Sequence, residues 1–198
     1  MKCSLVIFVV GISVFLYACG GKGVSQPLTV PNRTGTAEEY HNNRGGAYAA
    51  EGKLNKAIAE FKKAIRINPN HAQAHSNLAS VYYQQGKYDL AVKSYNKAID
   101  IDPNLVEAHQ SVGNVYYDKR KYDLAIESYN RVIAINPDVG ESSEAYINRG
   151  SAYDKQGRYD SAIESYQKTL DIYSKNLGGS LNVSEVQQLI NSLQKKDR

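Results

Sequence analysis

The stretch Ala72–Leu105, AQAHSNLASVYYQQGKYDLAVKSYNKAIDIDPNL, returns 34 residues later as VEAHQSVGNVYYDKRKYDLAIESYNRVIAINPDV, Val106–Val139. A chain that repeats itself at this period folds as a stack of like units, each burying its apolar face on its neighbour. The period extends beyond the two best copies. Tyr48, Tyr82 and Tyr116 are 34 apart, as are Ala57, Ala91 and Ala125, and Pro69, Pro103 and Pro137. A fourth copy carries Tyr153, Ala162 and Tyr166, displaced by three extra residues near Gly140-Glu141-Ser142. The repeats therefore fall at Glu38–His71, Ala72–Leu105, Val106–Val139 and Ser143–Asn176.

Each unit reads as two helices. In the second, Leu78, Ala79 and Tyr82 share one face of a helix predicted over 72–85. Gly86 follows at the C′ position, where a left-handed backbone is cheap for glycine. A second helix is predicted over 88–101, with Tyr88, Ala91, Val92, Tyr95, Ala98 and Ile99 apolar and Asp89 in the first turn, where negative charge suits the dipole. Asp102-Pro103 ends it, because the residue before proline is driven out of the helical region. Small residues form two columns, Gly45/Ala79/Gly113/Gly150 and Ala57/Ala91/Ala125/Ala162, which let the paired helices approach closely. Arg120 stands where the other repeats have Gly52, Gly86 and Gly157, so a left-handed turn there would be strained. Arg44 and Arg149 replace Leu78 and Val112 in a core-facing column. Glu60 is the expected partner of Arg44, whereas Ser165 at the equivalent position leaves Arg149 without one.

These residues resemble the tetratricopeptide repeat family, whose pattern W-x2-L-G-x2-Y…A-x3-F…P is matched with substitutions. The second repeat has His75, Leu78, Ala79, Tyr82, Ala91, Tyr95 and Pro103, and the third His109, Val112, Gly113, Tyr116, Ala125, Tyr129 and Pro137. The first has His41, Arg44, Gly45, Tyr48, Ala57, Phe61 and Pro69. The fourth has Tyr146, Arg149, Gly150, Tyr153, Ala162 and Tyr166, with Ser174 in place of the proline. The resemblance implies an all-α, right-handed solenoid of four helix-turn-helix repeats. A last amphipathic segment over 184–195, with Val186, Leu189, Ile190 and Leu193 at helical spacing and a Ser184/Gln187 capping box, is expected to cap the stack.

The N-terminus reads differently. Lys2, an apolar run over 4–17 and Leu16-Tyr17-Ala18-Cys19 form a signal segment, 1–18, that resembles the lipobox of bacterial lipoproteins. That resemblance implies cleavage before Cys19 and lipidation of Cys19. The expected location is the bacterial cell envelope, and the outer membrane facing the periplasm in a Gram-negative cell, since Gly20 stands where retained lipoproteins often have aspartate. Gly20–Ala37, rich in glycine with Pro27 and Pro31, reads as a tether about 23 Å long on average as a flexible coil. With Cys3 removed and Cys19 acylated, the mature chain holds no free thiol, which suits an oxidising compartment.

Composition narrows the chemistry. Loss of Lys2 leaves 23 basic against 20 acidic residues, and no basic run is interleaved with aromatics, so nucleic acid is excluded as a partner. No phosphate loop, nucleophile elbow or Cys/His zinc spacing occurs, so no catalytic residue, metal or cofactor is expected. His71 and His75 are four apart, but His71 stands at a helix entrance, unsuited to a metal pair on one helix. Sixteen tyrosines and no tryptophan indicate that tyrosine does the aromatic packing.

The family resemblance implies a concave groove lined by the first helices. Carried over by register, it presents Tyr83, Gln110, Asn114, Tyr117 and Asn148, an amide- and hydroxyl-rich lining suited to an extended backbone. The two tyrosines lie at offsets not needed for pairing the helices. The lysine-and-arginine clamp by which some members hold a C-terminal carboxylate maps onto Asn42, Gly46, Asn77, Glu107 and Ser111, of which only Asn77 fits. With Glu107, Asp118, Glu144 and Asp154 against Lys155, the groove favours a neutral or basic segment. The expected function is a non-catalytic scaffold for an envelope complex, in pilus or secretion assembly or in cell-wall machinery. The alternative is a structural stack that associates with itself. Lys93 and Lys97 are read as exposed on the outer helix.

Overall fold

A computed structural model describes residues 35–137, 140–175 and 183–196. The signal segment, Cys19 and nearly all of the tether lie outside the described residues. Among those described, the secondary structure is all helical: α1 (Ala37–Ala50), α2 (Leu54–Ile67), α3 (Ala72–Gln84), α4 (Tyr88–Ile101), α5 (Val106–Asp118), α6 (Tyr122–Ile135), α7 (Gly140–Lys155), α8 (Tyr159–Lys175) and α9 (Val183–Lys196). None is long and apolar enough to cross a membrane.

The odd and even helices pair within a repeat, and each even helix packs on the next odd one. Odd helices also touch their odd neighbours, whereas α2 and α4 have no comparable contact. One face of the stack is therefore closed by first helices, and the other is furrowed between second helices. The core follows the columns read from the sequence. Ala57, Ala91, Ala125 and Ala162 are fully buried, with Phe61, Tyr95, Tyr129 and Tyr166 beside them.

The turns share one hydrogen-bond scheme. Lys87 N donates to Tyr82 O (2.9 Å) and Gly86 N to Tyr83 O (2.8 Å), the glycine standing at φ +70°. Gly52 and Gly157 repeat this, and Arg120 adopts φ +56° with the same two bonds. The third repeat thus turns as the others do, on a residue with a Cβ.

Several expectations give way. Ala37, read as the last residue of the tether, is the first residue of α1, because Thr36 and Glu39 form a capping box: Glu39 N donates to Thr36 Oγ1, and Thr36 N to Glu39 Oε2. Ser184 does not stand at the start of the last helix. Helix α9 already begins at Val183, and Gln187 Nε2 donates forward to Asn191 Oδ1. Val186, Ile190 and Leu193 are buried, but Leu189 is exposed.

The fourth repeat is one turn taller. The three extra residues extend α7 back to Gly140, giving 16 residues where α5 has 13. Ser174 in place of proline lets α8 run to Lys175, 17 residues against 14 in α6. Within this longer pair, Thr169 Oγ1 of α8 donates to Ser143 O of α7 at 3.4 Å.

Both arginine expectations are corrected. Arg44 is exposed and donates to the hydroxyls of Tyr40 and Tyr48, not to Glu60. Among the described residues no helix precedes α1 to cover that column at this end. Glu60 is instead buried between His41 Nδ1 (2.6 Å) and Lys63 Nζ (2.8 Å), and its carboxyl is held below its usual range, chiefly by Lys63. Arg149 does find partners. Its Nε donates to Ser165 Oγ (3.1 Å) and its terminal nitrogen to Asn130 Oδ1 (2.8 Å), with the guanidinium 4.9 Å from the Tyr146 ring centre. A neutral hydroxyl therefore serves where a carboxylate was sought.

Candidate groove on the first helices

The first helices bring side chains from successive repeats into register. Asn77 Nδ2 donates to Asn42 Oδ1 (2.9 Å) and Asn148 Nδ2 to Asn114 Oδ1 (3.4 Å). Gln73 reaches Glu107, and Gln110 reaches Glu144, each at 3.5 Å. Such bonds fix the spacing of the helices and orient their outward side chains.

Between α3, α5 and α7 this face opens into a cavity of about 350 Å³. Tyr83, Asn114, Tyr117 and Asn148 all line it, joined by Asp118, Tyr129, Glu144 and Ser151. Gln110, the fifth predicted groove residue, stands at its edge through Glu144 and is not part of the wall. Ser76, on the same helix α3, is buried and takes no part in the wall.

The wall is polar and acceptor-rich. Tyr83 donates its hydroxyl to Asp118 Oδ2 at 2.6 Å, so a side chain of the second repeat is held by one of the third. Burial pushes the Tyr83 phenol well above its usual value, and the Asp118 bond adds to this, so the proton stays on the tyrosine. Burial raises Tyr117 and Tyr129 in the same way. Asp118 and Glu144 are in no ion pair among the described residues, while Asp154 lies 3.4 Å from Lys196 of α9. Two carboxylates thus face the cavity uncompensated.

The tyrosines are not spare residues, contrary to the reading from offsets alone. Tyr83 packs at a tilt against Tyr88 with ring centres 5.8 Å apart, and Tyr117 meets Tyr122 edge-on at 5.5 Å. Each therefore joins its two helices as well as forming the wall. Sequence reasoning also left Tyr129 wholly in the core. Its ring is buried, but its hydroxyl reaches Asn114 Oδ1 (2.9 Å) and the cavity. A tyrosine where the family pattern has phenylalanine was the available signal, since a buried hydroxyl needs a partner.

The histidines have structural tasks. His41 bonds Glu60, His71 caps α3 by accepting from Ala74 N, and His75 and His109 donate to Pro69 O and Pro103 O. No group of three or more potential metal ligands occurs among the described residues.

Comparison with known proteins agrees with this architecture. The chain is similar in fold to the crystal structure of MamA, with 28% identity and a TM-score of 0.66 over 71% of this chain and 80% of that one. It is likewise similar to Pseudomonas aeruginosa PilF, with 24% identity and a TM-score of 0.68 over 82% and 69% of the two chains. A third similar structure is the first repeat domain of Spaghetti (RPAP3) bound to the HSP90 peptide SRMEEVD, with 21% identity and a TM-score of 0.56 over 60% and 92%. No curated protein sequence matches the chain. Family models described as TPR repeat match residues 45–86 and 79–119, and one described as Tetratricopeptide repeat matches 105–175. Those matches run continuously over more than half of the chain, which belongs to the tetratricopeptide repeat family.

Proposed function

We propose that this protein is a non-catalytic scaffold that holds an extended, neutral or basic protein segment against its first helices. The carrying observation is the cavity between α3, α5 and α7, where Asp118 and Glu144 stand among amides and tyrosine rings without a cationic partner among the described residues. A segment entering there gains hydrogen bonds from Asn114 and Asn148, contact with Tyr83 and Tyr117, and charge complementarity for a lysine or arginine. An acidic tail of the kind seen with the Spaghetti repeats is disfavoured, since Glu107 and an Asn42–Asn77 pair stand at the clamp positions. The lipobox-like Leu16–Cys19 favours a scaffold tethered by lipidated Cys19 to the bacterial envelope, serving pilus, secretion or cell-wall assembly.

Crosslinking in intact cells, followed by mass spectrometry of the captured protein, identifies the partner. The charge-reversed variant Asp118→Lys/Glu144→Lys then tests the groove. Both side chains are exposed, so the fold should persist while capture is lost. Tyr83→Ala/Tyr117→Ala should also abolish capture, with some loss of stability because both rings join paired helices. Normal capture by the charge-reversed variant would refute the groove. A mass that rises with concentration, in light scattering of the purified chain, would instead favour self-association.

A further inference from the structure

The outer face carries a second concavity, unrelated in charge to the groove. Between α2 and α4 lies a cleft of about 380 Å³ lined by Ile65, Leu78, Lys62, Arg66, Lys93 and Lys97. Leu78 of α3 and Ile65 form its apolar floor. The four cations come as two i, i+4 pairs, one on each helix. Like charges at that spacing work against their own helix. None of the four is in an ion pair among the described residues, although Lys63 beside them is paired with Glu60.

The next repeat supplies an internal comparison. One period on, Ile65 and Leu78 become Ile99 and Val112, so the apolar floor is kept. The rim is not kept: Lys62, Arg66 and Lys93 become Asn96, Asp100 and Glu127, and only Lys97 retains charge, as Arg131. The same helix pairing therefore stands without the cations. Packing does not require them, and their cost is specific to the first furrow.

We propose that this furrow is a docking site for an acidic protein segment that places an apolar side chain on Ile65 and Leu78 and carboxylates against the four cations. Charge complementarity selects the anionic partner, and shape selects a segment over a membrane. A bilayer surface meets convex, protruding cations, whereas here the apolar contact lies at the bottom of a cleft between two helices. Two opposite faces of one solenoid thus take segments of opposite charge.

The test uses the full chain with two fluorescein-labelled peptides, one bearing EELEE and one bearing KKLKK. EELEE should bind with an affinity that falls as salt is added. The variant Lys62→Asn/Arg66→Asp/Lys93→Glu, which installs residues the next repeat already carries in the same register, should keep its helical signal and weaken EELEE roughly tenfold or more. Substitution of Asp118 and Glu144 by lysine should leave EELEE bound to the outer furrow. Equal binding of EELEE by wild type and the furrow variant overturns the proposal. So does co-sedimentation with phosphatidylglycerol vesicles that the furrow variant loses and EELEE does not compete, which would assign the cations to a membrane.

Discussion

Gly113→Ala is a demanding test of how packing shapes the groove. An alanine Cβ at this position would stand 2.5 Å from Tyr129 Cε1 and 2.8 Å from Cδ1. The ring cannot swing aside cheaply, because Tyr129 is 1% exposed. Overpacking of this kind costs about 1–3 kcal/mol. A shifted ring also strains the Tyr129–Asn114 bond, worth about 1 kcal/mol. Against this stands the higher helix propensity of alanine, about 1 kcal/mol. The balance is a loss of about 1–3 kcal/mol, read as a lower urea midpoint by circular dichroism. The second repeat gives the control, since Ala79 occupies the same column and is fully buried. There Ala79→Gly should lose about 2 kcal/mol, from helix propensity together with the loss of a buried methyl group. Because Tyr129 and Asn114 both line the cavity, Gly113→Ala should also weaken partner capture. A gain of about 1 kcal/mol on Gly113→Ala, the propensity term unopposed, would show that the ring does not press on the α5 backbone.

Arg120→Gly should stabilise by about 0.5–1 kcal/mol, the relief of a left-handed backbone exceeding the added unfolded-state entropy; a lower thermal midpoint would refute this. Glu60 has a depressed carboxyl pKa, so its stabilising contribution is present above the ordinary carboxylate range and disappears as pH falls through the folded value. The advantage of wild type over Glu60→Gln in urea unfolding should therefore be full at neutral pH and fade in acid, and a constant difference across that range would contradict the ion pair with Lys63. Intact-mass spectrometry of protein from a bacterial host should show an acylated Cys19 as the first residue, and a Cys19→Ser protein still held in the membrane would rule out the lipid anchor.

The repeat period made most of the fold legible. Helix limits in the second repeat followed from Gly86 and Asp102-Pro103, and α4 spans the predicted 88–101. What register could not convey was neighbourhood. Arg44 and Leu78 are the same position in the pattern, yet Arg44 is exposed on the first of the described helices, and Glu60 turned to His41 and Lys63. Thr36-x-x-Glu39 was a readable capping box, obscured by the glycine and prolines before it. In the groove, the register placed Tyr83, Asn114, Tyr117 and Asn148 on one concave wall, but could not show that Tyr83 bridges to Asp118 or that the Tyr129 hydroxyl surfaces beside Asn114.

The four repeats also act as references for one another. A position that holds its residue type in every copy, such as the Ala57 column, is explained by the contact each copy must make. A position that breaks the pattern while the backbone stays the same needs a different cause. For Arg149 that cause is visible in Asn130 and Ser165, which take its hydrogen bonds. For the lengthened α7 and α8 it lies in the sequence, in the three residues inserted near Gly140 and in Ser174 where the other repeats have proline. Lys62, Arg66 and Lys93 break the pattern with no partner of either kind among the described residues. Their charge, unpaired among the described residues and set over the same apolar floor that the next repeat leaves near-neutral at its rim, is what the proposed acidic segment would answer, as the proposed basic segment would answer Asp118 and Glu144 on the opposite face.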